Sequence, residues 1–517
     1  MAAIYPLWFI YFGNPGQASA LYAAAATAVV LAVVAGLLWV AIRLTRCRHV
    51  GAAALTVLVV AFFVYGPLHH LAVTISADPS WPFIVSDIFS LFASHVVLTL
   101  VMLTVCAVLI LLVVKRVAPG SARLTVACNF AVTALFVMLL ARFAMSSWEE
   151  RDLQMASAQA GASDGRAMSV LGYNPDIYYI IVDGYARADV LSKYYDFDNS
   201  EYVAGLKSRG FKVNDSSQAN YNWTVLSLAS SLNYAYLQDI AAPILADEEA
   251  IRGRNGYDKV ARLVRDNRAA NFLRTRGYKF VHIRSSTPPT ERNEYADEQV
   301  SCVGSLFDDE YLRTIVEVTW LQAAGAVATS DLADCHRQRL SSLQAQARQP
   351  GPKFVFAHFL PPHHPYLFDR NGNVLRHVTL SNQFDFQARL WEDRAAYLDQ
   401  LIYMNHSILA AIDKILAESA RPPVIIVQSD HGPNLRTGLS REEMLSVRFA
   451  NFAAYLLPGA DNPMPGNCAP VNQFRYLFNH YFDAGLPILP NTSYFSEYSA
   501  ILKMREIVAD SPTGKTS

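Results

Sequence analysis

IIVDGY (180–185), FVFAHFLPPHHPY (354–366) and PVIIVQSDHG (423–432) are three apolar runs, each of which ends on residues able to hold a metal ion. Continuous apolar runs of this length read as strands buried on both faces, the habit of a parallel sheet covered by helices. In open sheets of that kind, functional groups gather beyond the carboxyl ends of the strands. Asp183, His358 and the Asp430–His431 pair all fall at such ends, so residues distant in sequence are expected to meet in one crevice. A fourth segment, YNWTVLSLASSLN (221–233), places Thr224 just before a small-residue, helix-like stretch. The pattern is that of an enzyme.

Working outward, strands and helices alternate through the carboxyl-terminal two thirds. GFKV (210–213), YKFVHI (278–283), KFVFAHF (353–359) and VIIVQ (424–428) read as strands, with helices expected near 201–209, 224–237, 261–276 and 386–418. This alternation predicts a mostly parallel α/β sheet with helices on both faces.

The amino-terminal part differs. The chain has 517 residues, 52% hydrophobic and only 17% charged, and no Asp, Glu, Lys or Arg occurs before position 43. Four stretches, at 21–42, 52–73, 91–114 and 124–145, have the length needed to cross about 30 Å of hydrocarbon. YPLWFIYF (5–12) is too short to span and is expected at the interface. No basic segment precedes the first stretch and further spans follow it, which argues against a cleaved signal peptide. Arg43, Arg46 and Arg48, then Lys115, Arg116 and Arg123, fill two loops, whereas Asp78 and Asp87 fall in the other. The positive-inside rule puts the basic loops in the cytoplasm and everything after Met145 outside. The expected layout is a transmembrane helical bundle (1–146), a juxtamembrane linker (147–174), a catalytic domain (175–500) and a tail (501–517). A net charge of −1 without any long basic run excludes a nucleic-acid partner on electrostatic grounds. Of six cysteines, Cys302, Cys335 and Cys468 belong to the outer part, and Cys302 with Cys335 is the preferred disulfide because they flank one helical insertion.

The chemistry of the candidate site follows from residue type. Asp183, Asp430 and His431 offer two carboxylates and an imidazole to a divalent cation, and Thr224 supplies a fourth oxygen. A neutral threonine hydroxyl is a poor nucleophile, and a coordinating metal stabilises its alkoxide. A helix start there adds N–H groups that favour an anion in front of it. Taken singly, Asp183 and Thr224 also suit helix caps, and Thr224 ends an Asn222-Trp223-Thr224 glycosylation sequon.

Asp183, Thr224, the HFLPPHHPY stretch and SDHG resemble the alkaline phosphatase superfamily over most of 176–496. The resemblance is closest to its sulfatase-like, membrane-anchored branch, which includes lipoteichoic acid synthase, phosphoglycerol transferases and phosphoethanolamine transferases. It extends to YLDQLIYMN (397–405), RFANFAAYLLPG (448–459) and PVNQFRYLFNHYF (470–482). It implies that Asp183, Asp430 and His431 bind the metal, that Thr224 is the nucleophile and that His364 contacts substrate. His358 and Arg268, in DNRAANFLRTRGY (266–278), are further substrate-binding candidates, and His363 is expected to be an exposed neighbour. Zinc or manganese is the expected metal, with magnesium or calcium open. Two departures stand out. Thr224 is followed by Val225, Leu226, Ser227 and Leu228, not by the C/S-x-P-x-R motif of the true sulfatases, and Asp183 stands where the lipid-headgroup branches carry Glu. The implied activity is transfer of a phosphoglycerol- or phosphoethanolamine-type group from a membrane phospholipid to an extracytoplasmic glycan or lipid. The implied setting is the cell inner (cytoplasmic) membrane, multi-pass, with the catalytic domain periplasmic or extracellular. The alternatives are a phosphodiesterase, phosphatase or sulfatase-like hydrolase, and a catalytically inactive binding module.

Overall fold

The computed structural model describes residues 3–12, 20–77, 83–116, scattered positions between 130 and 141, 172, 174–246, 254–285, 287–302, 309–324, 329–375, 390–459, 464–497 and 500–507. The chain divides into two compact units, one of residues 1–162 with 306–328, the other of 163–305 with 329–517.

In the first unit, helices Ala20–Thr45, Arg48–Ala77 and His95–Arg116 contain segments long and apolar enough to cross a membrane, namely Leu21–Thr45, Arg48–Val73 and His95–Lys115. Leu37, Val40, Leu103, Leu109 and Leu111 stay exposed on them, as side chains facing lipid do. Most of the fourth expected span, and most of the linker at 147–174, lie outside the described residues. YPLWFIYF lies within the nine-residue helix Ile4–Phe12, too short to cross. The helix Glu310–Val318 and the turn Trp320–Ala324 also belong to this unit. Tyr311 packs with Ile10 and Ala23, and Trp320 stacks on Tyr65 at 5.4 Å while its Nε1 donates to Thr99 Oγ1 at 3.2 Å. Gly66 lets the helices touch: a Cβ there would lie 2.2 Å from Glu317 O.

The second unit is built on a seven-stranded sheet: β1 (Ile177–Val182), β2 (Lys212–Val213), β3 (Lys279–Ile283), β4 (Glu298–Val300), β5 (Lys353–Phe359), β6 (Val424–Gln428) and β7 (Ala453–Leu456), in the order β2-β7-β6-β1-β5-β3-β4. β6, β1, β5, β3 and β4 run parallel, and β7 and β2 close one edge antiparallel. Side chains alternate between faces, so β1 buries Ile177, Tyr179 and Ile181 against the helices Thr224–Asn233 and Pro470–Phe482. Tyr178, Ile180 and Val182 face the helix Arg394–Glu418 on the other side. β1, β5 and β6 are buried at every position, which is why they read as unbroken apolar runs.

Several expectations change. The single helix at 261–276 is two, Arg254–Arg265 and Arg268–Arg274. The break is a cap: Asn267 is extended and its side chain accepts from Ala270 N at 2.8 Å. The helix expected from 386 starts at Arg394, where Asp393 caps it, and 376–389 lie outside the described residues. Cys302 and Cys335 are bonded, with Cα atoms 5.2 Å apart, at the base of the excursion that carries Glu310–Val318.

Candidate active site

The register brings the strand ends to one level. Ile181 of β1 lies opposite His358 of β5 and Gln428 of β6, so Asp183 and the Ser429–Asp430–His431 turn emerge side by side. Asp183 N donates to Phe359 O at 2.9 Å, which carries the pairing one residue past the strand. Gly184 then turns the chain with φ +65°, and its N–H donates to Asp430 Oδ1 at 3.1 Å. Any side chain at this glycine would strike the Trp391 ring, because a Cβ would lie 2.4 Å from Cη2. Gly184→Ala is therefore expected to destabilise the second unit by roughly 2 kcal/mol or more, through left-handed strain and a clash together; an unchanged melting temperature would contradict this.

Thr224 enters from a different element. Trp223, extended, is the N-cap of the helix Thr224–Asn233, and its carbonyl accepts from Leu226 N (3.0 Å) and Ser227 N (2.9 Å). Thr224 is thus the first helical residue and not the cap, and its hydroxyl is free to lie 3.2 Å from His431 Nε2. Ser227, one turn on, donates to Asp430 O at 2.6 Å and fixes this helix to the end of β6.

Four groups converge. Ligand atoms of Asp183, Asp430 and His431 lie within 4.8 Å of one another and all three residues are buried. His431 Nε2 is 3.1 Å from Asp430 Oδ2 and 3.9 Å from Asp183 Oδ1, and neither oxygen has a hydrogen-bond donor among the described residues. Buried carboxylate oxygens beside an imidazole nitrogen and a hydroxyl suit a cation. The donor set of two carboxylates, an imidazole and a hydroxyl fits a divalent ion.

Histidines line the other side. His358 ends β5 with Nδ1 2.6 Å from Thr290 Oγ1 and Nε2 3.3 Å from Asp183 Oδ2. His364 is buried, and its Nε2 has no partner. His363, expected to be exposed, is only half-buried against Trp391 at 4.8 Å, with Nδ1 donating to His364 O. Gln400 holds this loop: Nε2 donates to His363 O (2.9 Å) and Oε1 accepts from Leu367 N (2.6 Å). Arg268 stays outside. Its side chain is exposed and its backbone N–H donates to Asn233 Oδ1, at the far end of the ten-residue helix that Thr224 opens, about 15 Å away at 1.5 Å per residue.

Electrostatics follow from burial. Desolvation works against a charged Asp183, but the histidines, His363 foremost, outweigh it and hold the carboxyl below its ordinary range. Burial, then Arg448, pushes His431 down to about 4, and burial, then His363, pushes His364 down to about 2, so both rings are neutral at physiological pH. His282 and His336 are likewise lowered to about 3, chiefly by burial. The unfolded chain protonates such rings near 6.5 and the folded domain only well below that. Between these limits the unfolded state binds more protons. Stability is therefore fully present above pH 6.5 and falls as pH drops toward 4. Thermal melting across this window should show a falling midpoint; a flat profile would contradict the buried-neutral assignment.

Residues 252–474 match the family model described as Sulfatase. This match covers less than half of the chain and falls on the part that carries β5, β6 and the SDHG turn. The matched range includes His358, His364, Asp430 and His431 but begins after Asp183 and Thr224, whose place in the site is a matter of geometry. Solved structures with similarity include the periplasmic domain of EcEptC from Escherichia coli, at 13% identity over 65% of this chain and 94% of that one, TM-score 0.41. They also include the periplasmic domain of the phosphoethanolamine transferase EptC from Campylobacter jejuni (11%, 60% and 89%, 0.35) and the lipoteichoic acid synthase LtaP from Listeria monocytogenes (11%, 59% and 72%, 0.36). No curated protein matches the sequence.

Proposed function

We propose that this protein is a metal-dependent transferase that moves a phosphorus-containing head group, of phosphoglycerol or phosphoethanolamine type, from a membrane lipid to an extracytoplasmic glycan or lipid. The observation that carries the proposal is the meeting of Thr224 Oγ1 with His431 Nε2 at 3.2 Å, beside two donor-less carboxylates and at a helix start. Asp183, Asp430, His431 and Thr224 would hold the ion, zinc or manganese first, and a bound ion lowers the cost of the Thr224 alkoxide. Thr224 Oγ1 forms a bond to the donor phosphorus while the bond from phosphorus to the diacylglycerol oxygen breaks, and that oxygen leaves with a proton. The N–H groups of the helix start face the phosphoryl oxygens. His358, 3.3 Å from Asp183 Oδ2, and His364 would contact them. An acceptor hydroxyl then bonds to phosphorus, and Thr224 is released as the alcohol. Because residues 224–228 lack the sulfatase formylglycine motif, this chemistry suits Thr224 better than sulfate-ester cleavage by that route.

Among the described residues, three helices long and apolar enough to cross a membrane fit a lipid donor. The division of the loops into basic and acidic supports a domain on the outer side. A reporter active only outside the membrane, fused after Ser517, is expected to be active, and activity of a cytoplasmic reporter there would reverse the topology. The reaction itself is tested by incubating the purified protein with labelled phosphatidylglycerol or phosphatidylethanolamine and following Thr224 by mass spectrometry. A head-group adduct on Thr224, discharged by an acceptor, supports the transferase; release of head group to water alone would make the protein a phosphodiesterase.

A further inference from the structure

Arg448, near the end of the helix Arg441–Phe449, has a buried guanidinium, 7% exposed, with no carboxylate in ion-pair contact among the described residues. Nε and Nη2 donate to Asn222 O at 2.9 and 2.6 Å, Nη1 donates to Gly432 O at 2.8 Å, and Nη2 lies 3.0 Å from His431 Nε2. A guanidinium only donates. His431 Nε2 must therefore be the acceptor, and His431 Nδ1 donates to Gly432 O at 3.1 Å. The lone pair that a metal ion would take is the one Arg448 already holds. Burying an arginine without a directly paired carboxylate is costly, and tying two carbonyls together does not need a charge. Asp430 and Asp183 favour the charge through space without contacting it, so the guanidinium is left with no anion directly against it.

We propose that Arg448 is a substrate-binding residue for phosphoryl oxygens, made available by ligation of His431. Its Nη2–H is directed at His431 Nε2, 3.0 Å away. With that nitrogen given to a cation, the N–H would lose its ring acceptor and be left for an anion; Thr224 Oγ1 lies 3.2 Å from the same Nε2. The proposal rests on the metal reading of Asp183, Asp430 and His431 given above. It also separates from a structural role in sign. An arginine that merely braces Asn222 against Gly432 would, when removed, loosen the site and weaken metal binding. Removing a fixed positive charge beside a cation site instead relieves repulsion, so metal binding holds or tightens while anion binding falls.

The test is calorimetric titration of the full-length protein in detergent, first with zinc and then with inorganic phosphate. Wild type is expected to bind phosphate when zinc-loaded and at least about tenfold more weakly when zinc-free, the scale of a charge-assisted hydrogen bond. Arg448→Met is expected to bind zinc as tightly or more tightly and zinc-dependent phosphate about tenfold or more weakly; Arg448→Lys, which keeps the charge and is the milder variant for folding, should fall between. Loaded variants that bind phosphate as wild type does, or folded variants that lose zinc together with phosphate, overturn the proposal. A wild-type protein that binds no divalent ion at all overturns the metal reading itself, a result distinct from either.

Discussion

Asp430→Asn is expected to strip the site of metal and abolish turnover while the second unit keeps its fold. Asp430 Oδ1 accepts from Gly184 N at 3.1 Å, and an asparagine oxygen can accept the same bond, so the turn after β1 survives. The charge on Oδ2 is what disappears, and Oδ2 is the donor-less oxygen 3.1 Å from His431 Nε2. An amide nitrogen in its place would offer a cation neither a charge nor a lone pair. Even groups that only support a ligand cost roughly 10- to 100-fold in metal affinity when changed, so loss of a ligand should cost at least that much. The measurement is metal per protein by elemental analysis beside a melting curve. Full occupancy with wild-type turnover in Asp430→Asn would remove the assignment of the whole cluster.

The parts of this fold that are legible in the sequence are those governed by continuous burial. β1, β5 and β6 have no solvent face, so their sequences carry no alternation, and their carboxyl ends can be aligned from the apolar runs alone. That alignment is enough to bring Asp183, His358, Asp430 and His431 together. β4 and β7, of three and four residues, are too short for such a signal and depend on the neighbour they pair with. The break at Asn267 has a local signal, an asparagine three residues before Ala270, but the apolar pattern on both sides hides it. Arg448 has none. In REEMLSVRF an arginine reads as one more solvated charge, and only the packing of that helix against the Asn222 and Gly432 carbonyls sends it inward. Arg268 is the converse, a residue with suggestive neighbours that the helix cap orients away from the crevice. Thr290 and Trp391, which hold His358 and flank Gly184, come from loops that no local pattern connects to the site.

Thr224→Ala is expected to abolish group transfer while leaving the site nearly intact, which makes it the sharpest separation of an enzyme from a binding module. The helix does not depend on the hydroxyl: Trp223 is the N-cap, Thr224 is the first helical residue, and alanine is the better helix former there. Asp183, Asp430 and His431 remain, so metal should still bind, more weakly by the loss of one oxygen. What goes is the oxygen 3.2 Å from His431 Nε2 that is proposed to bond to phosphorus. Removal of a covalent nucleophile costs on the order of a thousandfold or more in turnover. Thr224→Ser keeps that oxygen and loses the methyl that restricts its rotamer; re-ordering it costs about 0.5–1.5 kcal/mol, a loss of roughly two- to tenfold. Mass spectrometry of protein stopped during turnover should then find the head-group adduct at position 224 in wild type and in Thr224→Ser, and none in Thr224→Ala. If Thr224→Ala turns over at the wild-type rate, the attacking oxygen is not the threonine's, and a water held by the remaining Asp183, Asp430 and His431 centre becomes the nucleophile.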